Sequence, residues 1–249
     1  MKPSQPIMPR FCLGLFFWAA IWAPTLEAVT TISAGHADIF EVEYLTTDED
    51  TGQPLTTPVL HLGVHTDTNH YEPADVLLEV KETAFIPSTA SFPSPITDLL
   101  GASAWILPAD LEEAANLGVI EGGVAKAGFP NNNAVTFSLV GAGSDTPGNF
   151  VLFSAANSIR LAAIGGAVGS NASFSIVTGH IHYNWGFSAP GTYTFDLKAS
   201  YTDADFGLLE SATETYTFNV IPEPSSGALV LAGMAALGAV RRKGRWHAV

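Results

Sequence analysis

Short stretches in which apolar and polar residues alternate recur along the middle of the chain, with turn-forming residues between them. The alternation is cleanest in residues 195–199 and 215–220, where every second side chain is apolar. Because successive side chains of a strand point to opposite faces, this pattern predicts strands with one buried face. The predicted strands lie at residues 39–44, 59–64, 76–80, 135–140, 150–153, 174–177, 191–199 and 213–220. So many short strands favour an all-β fold, and we predict a single antiparallel β-sandwich of jelly-roll-like form.

One short helix is predicted beside these strands, near residues 110–117. Asp110 stands at the N-cap position after Pro108, and the residues that follow it are good helix formers. Gly118 comes directly after them, where helices commonly end on a glycine. We expect roughly two or three turns of helix here.

Residues 1–28 have the layout of a secretory signal peptide. Basic residues precede the apolar stretch 11–23, which ends in a small-residue region near Ala28, and we place the cleavage after Ala28 although Leu26 is larger than is usual three residues before the cut. Cys12, the one cysteine of the sequence, falls inside this segment. After cleavage the protein would contain no cysteine, which excludes disulfides, thiol catalysis and cysteine metal ligands.

Residues 220–249 combine three features of a membrane-directed tail. Pro222, Glu223 and Pro224 precede the apolar run 226–240, which predicts a short transmembrane helix. Basic residues follow that run and predict a cytoplasmic end, so the domain between the two tails, residues 29–219, is expected outside the cytoplasm. The basic residues are Arg241, Arg242, Lys243 and Arg245.

This tripartite tail resembles the PEP-CTERM sorting signal of Gram-negative bacteria. In that family an exosortase, which is a membrane protease or transpeptidase, cuts near the motif and passes the protein towards the envelope exterior or the extracellular matrix. The resemblance implies an exosortase partner and a temporary tether in the inner membrane. It also implies a final location at the cell surface, the outer envelope or the extracellular matrix. An ordinary C-terminal membrane anchor is the alternative.

Acidic residues strongly outnumber basic ones between the two tails. The whole sequence has 10 Lys and Arg against 24 Asp and Glu, and residues 29–221 contain 4 and 22 of these. A surface this negative repels phosphate backbones, which excludes nucleic acid as a partner. It suits an exported domain or one that meets cations.

Histidine is the distinctive residue of the predicted domain. Six of the seven histidines fall there, in groups at 36, at 61–70 and at 180–182. Residues two apart on a strand share a face, so His180 and His182 could present two imidazoles together. The candidate ligands for Zn²⁺, Mn²⁺ or Fe²⁺ are His36, Asp38, His61, His65, His180 and His182. Hydrogen-bonded or solvated histidines without a metal are the alternative, and His247 is given no role.

A second resemblance rests on residues 180–193, which read His-Ile-His-Tyr-Asn-Trp-Gly-Phe-Ser-Ala-Pro-Gly-Thr-Tyr. Together with 33–39 and 100–108, this segment resembles the choice-of-anchor M domain, and the likeness covers most of 31–221. That family is similar to the surface-anchored repeat domain of actinobacterial wall proteins, and its members carry different C-terminal anchors in different lineages. Related actinobacterial proteins occur beside metal-type ABC transporters, which implies a link to metal uptake.

The family motif also implies an arrangement for its own residues. His180, His182 and Asn184 would lie on one side of a strand, and the chain would turn at 190–191. The aromatic residues of the motif are interpreted as core or corner packing rather than as a ligand platform. They are Trp185, Phe187 and Tyr193.

Motifs for catalysis are missing from the sequence, which contains no Gly-x-Ser-x-Gly elbow, Walker loop or His-Glu-x-x-His helix. Two acidic segments, 48–52 and 203–207, begin like calcium loops without completing one, so we interpret them as solvated turns. We predict a non-catalytic structural or binding domain of the cell envelope or extracellular matrix. The alternatives are a surface metal-binding protein linked to metal uptake, and a carbohydrate-active enzyme or binding module that contacts envelope or matrix polysaccharide.

Overall fold

The computed structural model describes residues 29–222. The predicted signal peptide, the membrane helix 226–240 and the basic cluster lie outside these residues, as do Glu223, Pro224 and His247. Within the described part, no helix has the length and apolar character needed to cross a membrane.

Strands account for most of the regular structure between residues 29 and 222. In chain order they are β1 (Thr30–Ile32), β2 (Gly35–Thr47), β3 (Pro54–Thr66), β4 (His70–Tyr71), β5 (Val76–Val80), β6 (Phe85–Ile86), β7 (Ala104–Leu107), β8 (Ile120–Ala127), β9 (Val135–Ala142), β10 (Phe150–Phe153), β11 (Ile159–Ile164), β12 (Ala167–Val168), β13 (Ser173–Ile176), β14 (His180–His182), β15 (Asn184–Phe187), β16 (Gly191–Asp203), β17 (Gly207–Glu210) and β18 (Glu214–Val220). The helices are α1 (Ser94–Leu100) and α2 (Leu111–Leu117), with 3₁₀ turns at Pro73–Asp75 and Glu82–Ala84.

The described strands form three sheets. A seven-stranded sheet has the order β1-β5-β18-β16-β9-β13, with β17 paired to β16; a six-stranded sheet has the order β12-β11-β10-β15-β7-β6; and a five-stranded sheet has the order β14-β8-β2-β3-β4. Most neighbours are antiparallel, but β1 with β5, β5 with β18, and β2 with β8 are parallel. The prediction of a mostly β chain is confirmed. The prediction of a wholly antiparallel arrangement is wrong, because crossovers place non-consecutive strands side by side in the same direction.

All eight predicted strands overlap strands of the structure, namely β2, β3, β5, β9, β10, β13, β16 and β18. Strand β8 is the most consequential element that the sequence pattern did not indicate. Seven of its eight residues are buried. A strand covered on both faces has no alternation of apolar and polar residues, so the period-2 signal is absent.

The two short helices illustrate one correct and one incomplete prediction. Helix α2 begins as expected, because the Asp110 side chain accepts a hydrogen bond from the Glu113 backbone N–H at 2.9 Å. It ends at Gly118, which has a left-handed φ of 64°. The prediction of a single helix is wrong, since Ser94–Leu100 forms α1. Helix α1 tolerates a proline because this residue falls in the first turn, where the backbone N–H has no helical partner. Pro-rich segments usually predict loops, so the sequence pattern did not indicate this helix.

One hydrophobic core is shared by the three sheets. Trp185 of the six-stranded sheet is fully buried, with its ring centroid 4.8 Å from that of Phe40 on β2 and 5.7 Å from that of Phe218 on β18. Its indole N–H donates to the Gly122 carbonyl of β8 at 3.1 Å. Burying one such aromatic side chain stabilises a fold by roughly 1.5–3 kcal/mol. The inner face of the five-stranded sheet is therefore fixed to the core, while its outer face is free to carry polar side chains.

Candidate metal centre

Strand β8 lies between β14 and β2 and brings the two predicted histidine pairs together. His182 on β14 is paired with Gly123 of β8. Asp38 on β2 is paired with the same glycine from the other side. Because Gly123 has no side chain, the ligands of the two flanking strands can meet above it.

Four side chains converge at this point: His36, Asp38, His180 and His182, here called the histidine centre. The Nε2 atom of His180 lies 2.9 Å from Nε2 of His182 and 3.3 Å from Nε2 of His36. It also lies 2.6 Å from Oδ1 of Asp38. Each of the four residues offers one ligand atom, and these atoms all lie within 4.8 Å of one another. Three imidazoles therefore turn the same nitrogen towards one small volume.

Carboxylates on the far side of two of these rings fix which nitrogen points inward. The Nδ1 atom of His182 is in contact with Oε1 of Glu121, a residue of β8 that is 2% exposed. The Nδ1 atom of His36 lies 3.4 Å from Oδ1 of Asp67. A carboxylate at Nδ1 holds the ring proton there and leaves the Nε2 lone pair free, as in the carboxylate–histidine pairs behind metal ligands.

The local electrostatics favour neutral imidazole at His182. Burial, and then the neighbouring His180 and His36, lower the pKa of His182 below its usual range. Burial also raises the pKa of Glu121. Metal ligation requires a deprotonated imidazole nitrogen, so a lowered histidine pKa reduces the competition from protons.

Asp38 supplies the oxygen of the centre from a buried position. The residue is 7% exposed, and its Oδ1 atom is shielded from solvent without a well-aligned hydrogen bond, although Nε2 of His180 is near. Lys198 and Glu210 form the one Lys or Arg salt bridge among residues 29–222, so no such cation balances Asp38. A buried carboxylate is costly unless it is paired or bound to a metal.

The donor set and its spacing fit a four-coordinate transition metal. Tetrahedral zinc with ligand bonds of about 2.0–2.1 Å places neighbouring nitrogens about 3.3 Å apart. The Nε2 separation of His180 from His36 is 3.3 Å and matches this value, and that of His180 from His182 is shorter, at 2.9 Å. Three imidazoles and one carboxylate are ligands suited to Zn²⁺ and to other divalent first-row metals.

Two adjacent glycines of β8 make room on opposite faces of the sheet. A Cβ atom on Gly123 would lie 2.1 Å from Oδ1 of Asp38 and 2.8 Å from Nε2 of His180. A Cβ atom on Gly122 would instead lie 2.2 Å from Nε1 of Trp185, in the core. The absence of a side chain at position 123 is therefore part of how the histidine centre is built.

Two further predicted ligands, His61 and His65, lie outside the histidine centre. His61 belongs to a second group with Glu43 and His70, here called the Glu43 cluster, whose ligand atoms also lie within 4.8 Å of one another. His65 is in neither group, and its Nδ1 atom lies 3.7 Å from Oε2 of Glu41.

Sequence reasoning missed Glu43, His70 and Glu121 as members or supports of these groups. The signal for Glu121 was a single acid within the otherwise apolar run 119–125. Such a residue is unusual in a buried strand and indicates a specific partner. Glu43 and His70 gave no signal of this kind, because their approach to His61 depends on the register of the β2–β3 and β3–β4 pairs.

The motif at 180–193 is divided among the three sheets, because it contains β14, β15 and the start of β16. His180 and His182 lie together on β14, whereas Asn184 begins β15, where its Oδ1 atom accepts a hydrogen bond from the Ala109 backbone N–H at 2.9 Å. The expectation that Asn184 continues the same strand face is therefore wrong. The aromatic residues of the motif are buried in the core as interpreted; they are Trp185, Phe187 and Tyr193.

The two acidic turns use their first aspartates to bind backbone. Oδ1 of Asp48 accepts hydrogen bonds from the Thr51 N–H at 2.8 Å and the Thr51 hydroxyl at 2.6 Å. Oδ1 of Asp203 accepts from the backbone N–H groups of Asp205 and Phe206 at 2.8 and 3.0 Å. Each aspartate thereby stabilises its own turn.

Residues 220–244 match the PEP-CTERM protein-sorting motif. This confirms the predicted sorting signal and indicates an exported protein that is anchored in the membrane and sorted by an exosortase before surface display. No curated protein and no solved structure matches the chain. The resemblance of residues 31–221 to the choice-of-anchor M domain stays a prediction.

Proposed function

We propose that residues 29–219 form a non-catalytic metal-binding domain of an exosortase-sorted surface protein, and that the histidine centre holds one divalent transition metal ion. The observation that carries this proposal is the convergence of three imidazoles and one carboxylate, each of which offers one ligand atom within 4.8 Å of the others. Zinc is the first candidate, because its usual four-coordinate geometry suits nitrogen and oxygen ligands at this spacing.

The charge of the centre supports a cation rather than a hydrogen-bond network. Lone pairs on adjacent Nε2 atoms repel one another unless a proton or a metal lies between them. With Nδ1 of His36 and His182 facing carboxylates, the ring protons of these residues are directed away from the centre. A divalent ion satisfies all three nitrogens and the buried Asp38 at once, whereas one shared proton satisfies at most two atoms.

The architecture suits a binding or structural role at the cell surface. The three sheets enclose a common core without cysteine, which fits our interpretation of the domain as sandwich-like and of the choice-of-anchor M type. A metal that links β2, β8 and β14 would add a cross-link to an exported fold that has no disulfides. Metal uptake is the second candidate function, and the partial exposure of His36, His180 and His182 favours it, because an exposed ligand permits exchange with a partner.

The carbohydrate alternative receives no support from the described residues. A sugar-binding surface would need exposed aromatic side chains beside paired carboxylates. Among the aromatic residues between 29 and 222, Phe206 alone is exposed, with the others buried or half-buried.

The decisive test is elemental analysis of the untagged full chain, purified from membranes in detergent and dialysed against metal-free buffer. The wild type is expected to retain about one equivalent of a transition metal, because four protein ligands bind more tightly than the buffer does. The His180→Ala, His182→Ala double variant removes two ligands and is expected to retain none. His65→Ala is the matched control, since this histidine lies on the same sheet outside the histidine centre.

Retention of the same metal by the double variant would refute the proposed site. Absence of metal from the wild type, even after reconstitution with Zn²⁺, Mn²⁺ or Fe²⁺, would refute the metal-binding function. Far-UV circular dichroism of each variant establishes whether the sheets are intact, so that loss of metal is not confused with loss of fold.

A further inference from the structure

The Glu43 cluster occupies the other end of the same sheet face as the histidine centre. Glu43 on β2 is paired directly with His61 on β3, and β4, which carries His70, adds to the far side of β3. The imidazole rings of His61 and His70 are nearly parallel, with centroids 5.7 Å apart. The Nδ1 atom of His70 lies 3.6 Å from Oε2 of Glu43. Two imidazoles and one carboxylate therefore meet across three neighbouring strands.

Both ring nitrogens of His61 face carboxylates. Its Nε2 atom lies 3.1 Å from Oε1 of Glu72, and its Nδ1 atom lies 3.3 Å from Oε2 of Glu49. The Nδ1 atom is shielded from solvent and makes no well-aligned hydrogen bond. A neutral imidazole carries a proton on one nitrogen only, so its other lone pair would face an anionic oxygen. A second proton on the ring or a cation between the two groups removes this repulsion.

The backbone provides the space that this arrangement needs. A Cβ atom on Gly63 would lie 2.1 Å from Nε2 of His70. The imidazole of His70 can therefore lie over strand β3 only because position 63 is a glycine. Glu49 is brought to the cluster by the turn that Asp48 closes through its hydrogen bonds to Thr51. Two independent elements, the glycine of β3 and the hydrogen-bonded turn at 48–51, thus direct ligands to the same point.

The charge balance of the region favours a divalent ion. Three carboxylates, those of Glu43, Glu49 and Glu72, surround two imidazoles, and no Lys or Arg of the described residues forms a salt bridge with them. A site with excess negative charge and open to solvent on one side attracts cations and lets them exchange. The side chains of Glu49 and Glu72 are each 53% exposed, so they can move to complete a coordination shell.

We propose that Glu43, His61 and His70, assisted by Glu49 and Glu72, form a second divalent-metal site that is independent of the histidine centre. Its donors are two nitrogens and up to three carboxylate oxygens. Such a mixture suits Zn²⁺, Mn²⁺ or Fe²⁺ in a five- or six-coordinate geometry, with water in the open positions. The ligands are more exposed and harder than those of the histidine centre, so the second site binds transition metals more weakly and releases them faster.

The test is isothermal titration of the metal-free, untagged full chain in detergent with Zn²⁺. The wild type is expected to bind a tight first equivalent and a second one at least about tenfold weaker. The His61→Ala, His70→Ala variant is expected to lose the weaker step alone, and His180→Ala, His182→Ala the tighter step alone. The His65→Ala control is expected to keep both steps, because His65 lies in neither cluster. Glu43→Gln is a milder second variant that removes one charge and preserves the shape of the side chain.

The possible results separate this inference from the proposed function. A single step in the wild type that disappears only in His180→Ala, His182→Ala would overturn the second site and leave the histidine centre standing. A single step that disappears only in His61→Ala, His70→Ala would overturn the histidine centre and leave the second site standing. Two steps that persist in both His61→Ala, His70→Ala and Glu43→Gln would also overturn the second site.

Discussion

The imidazole of His182 is held between the carboxylate of Glu121 at Nδ1 and the imidazole of His180 at Nε2. The two partners act on opposite ends of one ring. Glu121 is buried in β8, so its position is set by the packing of the sheet and not by solvent. The orientation of a surface ligand is thereby controlled from the interior of the domain.

Replacement of Glu121 by Gln is expected to weaken metal binding at the histidine centre by roughly 10- to 100-fold. The amide keeps the shape of the side chain but removes the charge that makes the His182 ring a better donor. Competition with a chelator of known affinity measures the change. Glu112→Gln, on the exposed face of α2, is the control and should bind as the wild type does. Equal affinities for the two variants would show that Glu121 does not support the centre.

Replacement of Gly123 by Ala is expected to abolish binding at the histidine centre with a small effect on the fold. The new methyl group would lie 2.1 Å from Oδ1 of Asp38 and would displace that oxygen from the ligand cluster. Elemental analysis after dialysis checks the result. Wild-type metal content in Gly123→Ala would mean that the ligands can rearrange around a side chain at this position.

Replacement of Gly122 by Ala is expected to destabilise the fold and to leave metal binding at the histidine centre in place. Its methyl group would meet the Trp185 indole in the core at 2.2 Å, so the fold must shift to accept it. Overpacking of this kind typically lowers the free energy of unfolding by about 1–3 kcal/mol. Chemical denaturation measures this loss, and unchanged stability would contradict the packing described at Trp185.

The contribution of Glu41 to the stability of the metal-free protein is expected to fall as the pH rises from about 4.5 to about 7. Burial raises the pKa of this carboxyl to about 7 from its ordinary value of 4.5. The folded state therefore holds the proton more tightly than the unfolded state does, so the contribution is present below pH 4.5 and is lost as the pH passes through about 7. At about 1.4 kcal/mol per pH unit, the loss is at most about 3–4 kcal/mol.

Glu41→Gln isolates this contribution, because other acids and histidines titrate over the same range. Urea denaturation of both proteins in the presence of a chelator, at several pH values, gives the difference in unfolding free energy. The variant should become more stable than the wild type as the pH rises. A difference that does not change with pH would contradict a raised pKa at Glu41.

Replacement of Tyr193 by Phe is expected to lower the free energy of unfolding by about 1–3 kcal/mol. The buried hydroxyl donates to the Ala189 carbonyl at 2.7 Å and accepts from the Ala189 N–H at 3.1 Å. Both backbone groups lose this partner in the variant. Tyr71→Phe is the control, since the Tyr71 hydroxyl makes no hydrogen bond among the described residues. Equal losses in the two variants would show that the Ala189 contacts contribute nothing specific.

Local pattern was sufficient to predict the half-buried strands and α2. The alternation of 215–220 and the capping of Asp110 are properties of neighbouring residues, and both reappear in the structure. Strand β8 could not be predicted in this way, because burial on both faces removes the alternation. The parallel pairing of β2 with β8 could not be predicted from local pattern either, because it depends on which distant segments of the chain meet.

The candidate site was predictable only in its parts. The spacing of His180 and His182 correctly indicated one strand face, and His36 with Asp38 were correctly paired on β2. Their convergence required the position of β8 between the two strands, which no local signal reports. The sequence therefore indicates the six candidate ligands as one set, whereas His61 is held in the Glu43 cluster and His65 lies beside Glu41.

The last strand, β18, ends at Val220, and the sorting motif starts at that same residue. Val220 is paired with Gly191 on one side and with Val80 on the other, so β18 fills the gap between β16 and β5. In a chain that crosses a membrane N-terminus first, the seven-stranded sheet stays open until the final residues of the domain emerge. Completion of the fold and arrival of the sorting signal then coincide in time. An exosortase would then meet a sorting motif that begins at the last residue of the completed sheet. A truncation that deletes β18 would leave unpaired strand edges on β16 and on β5.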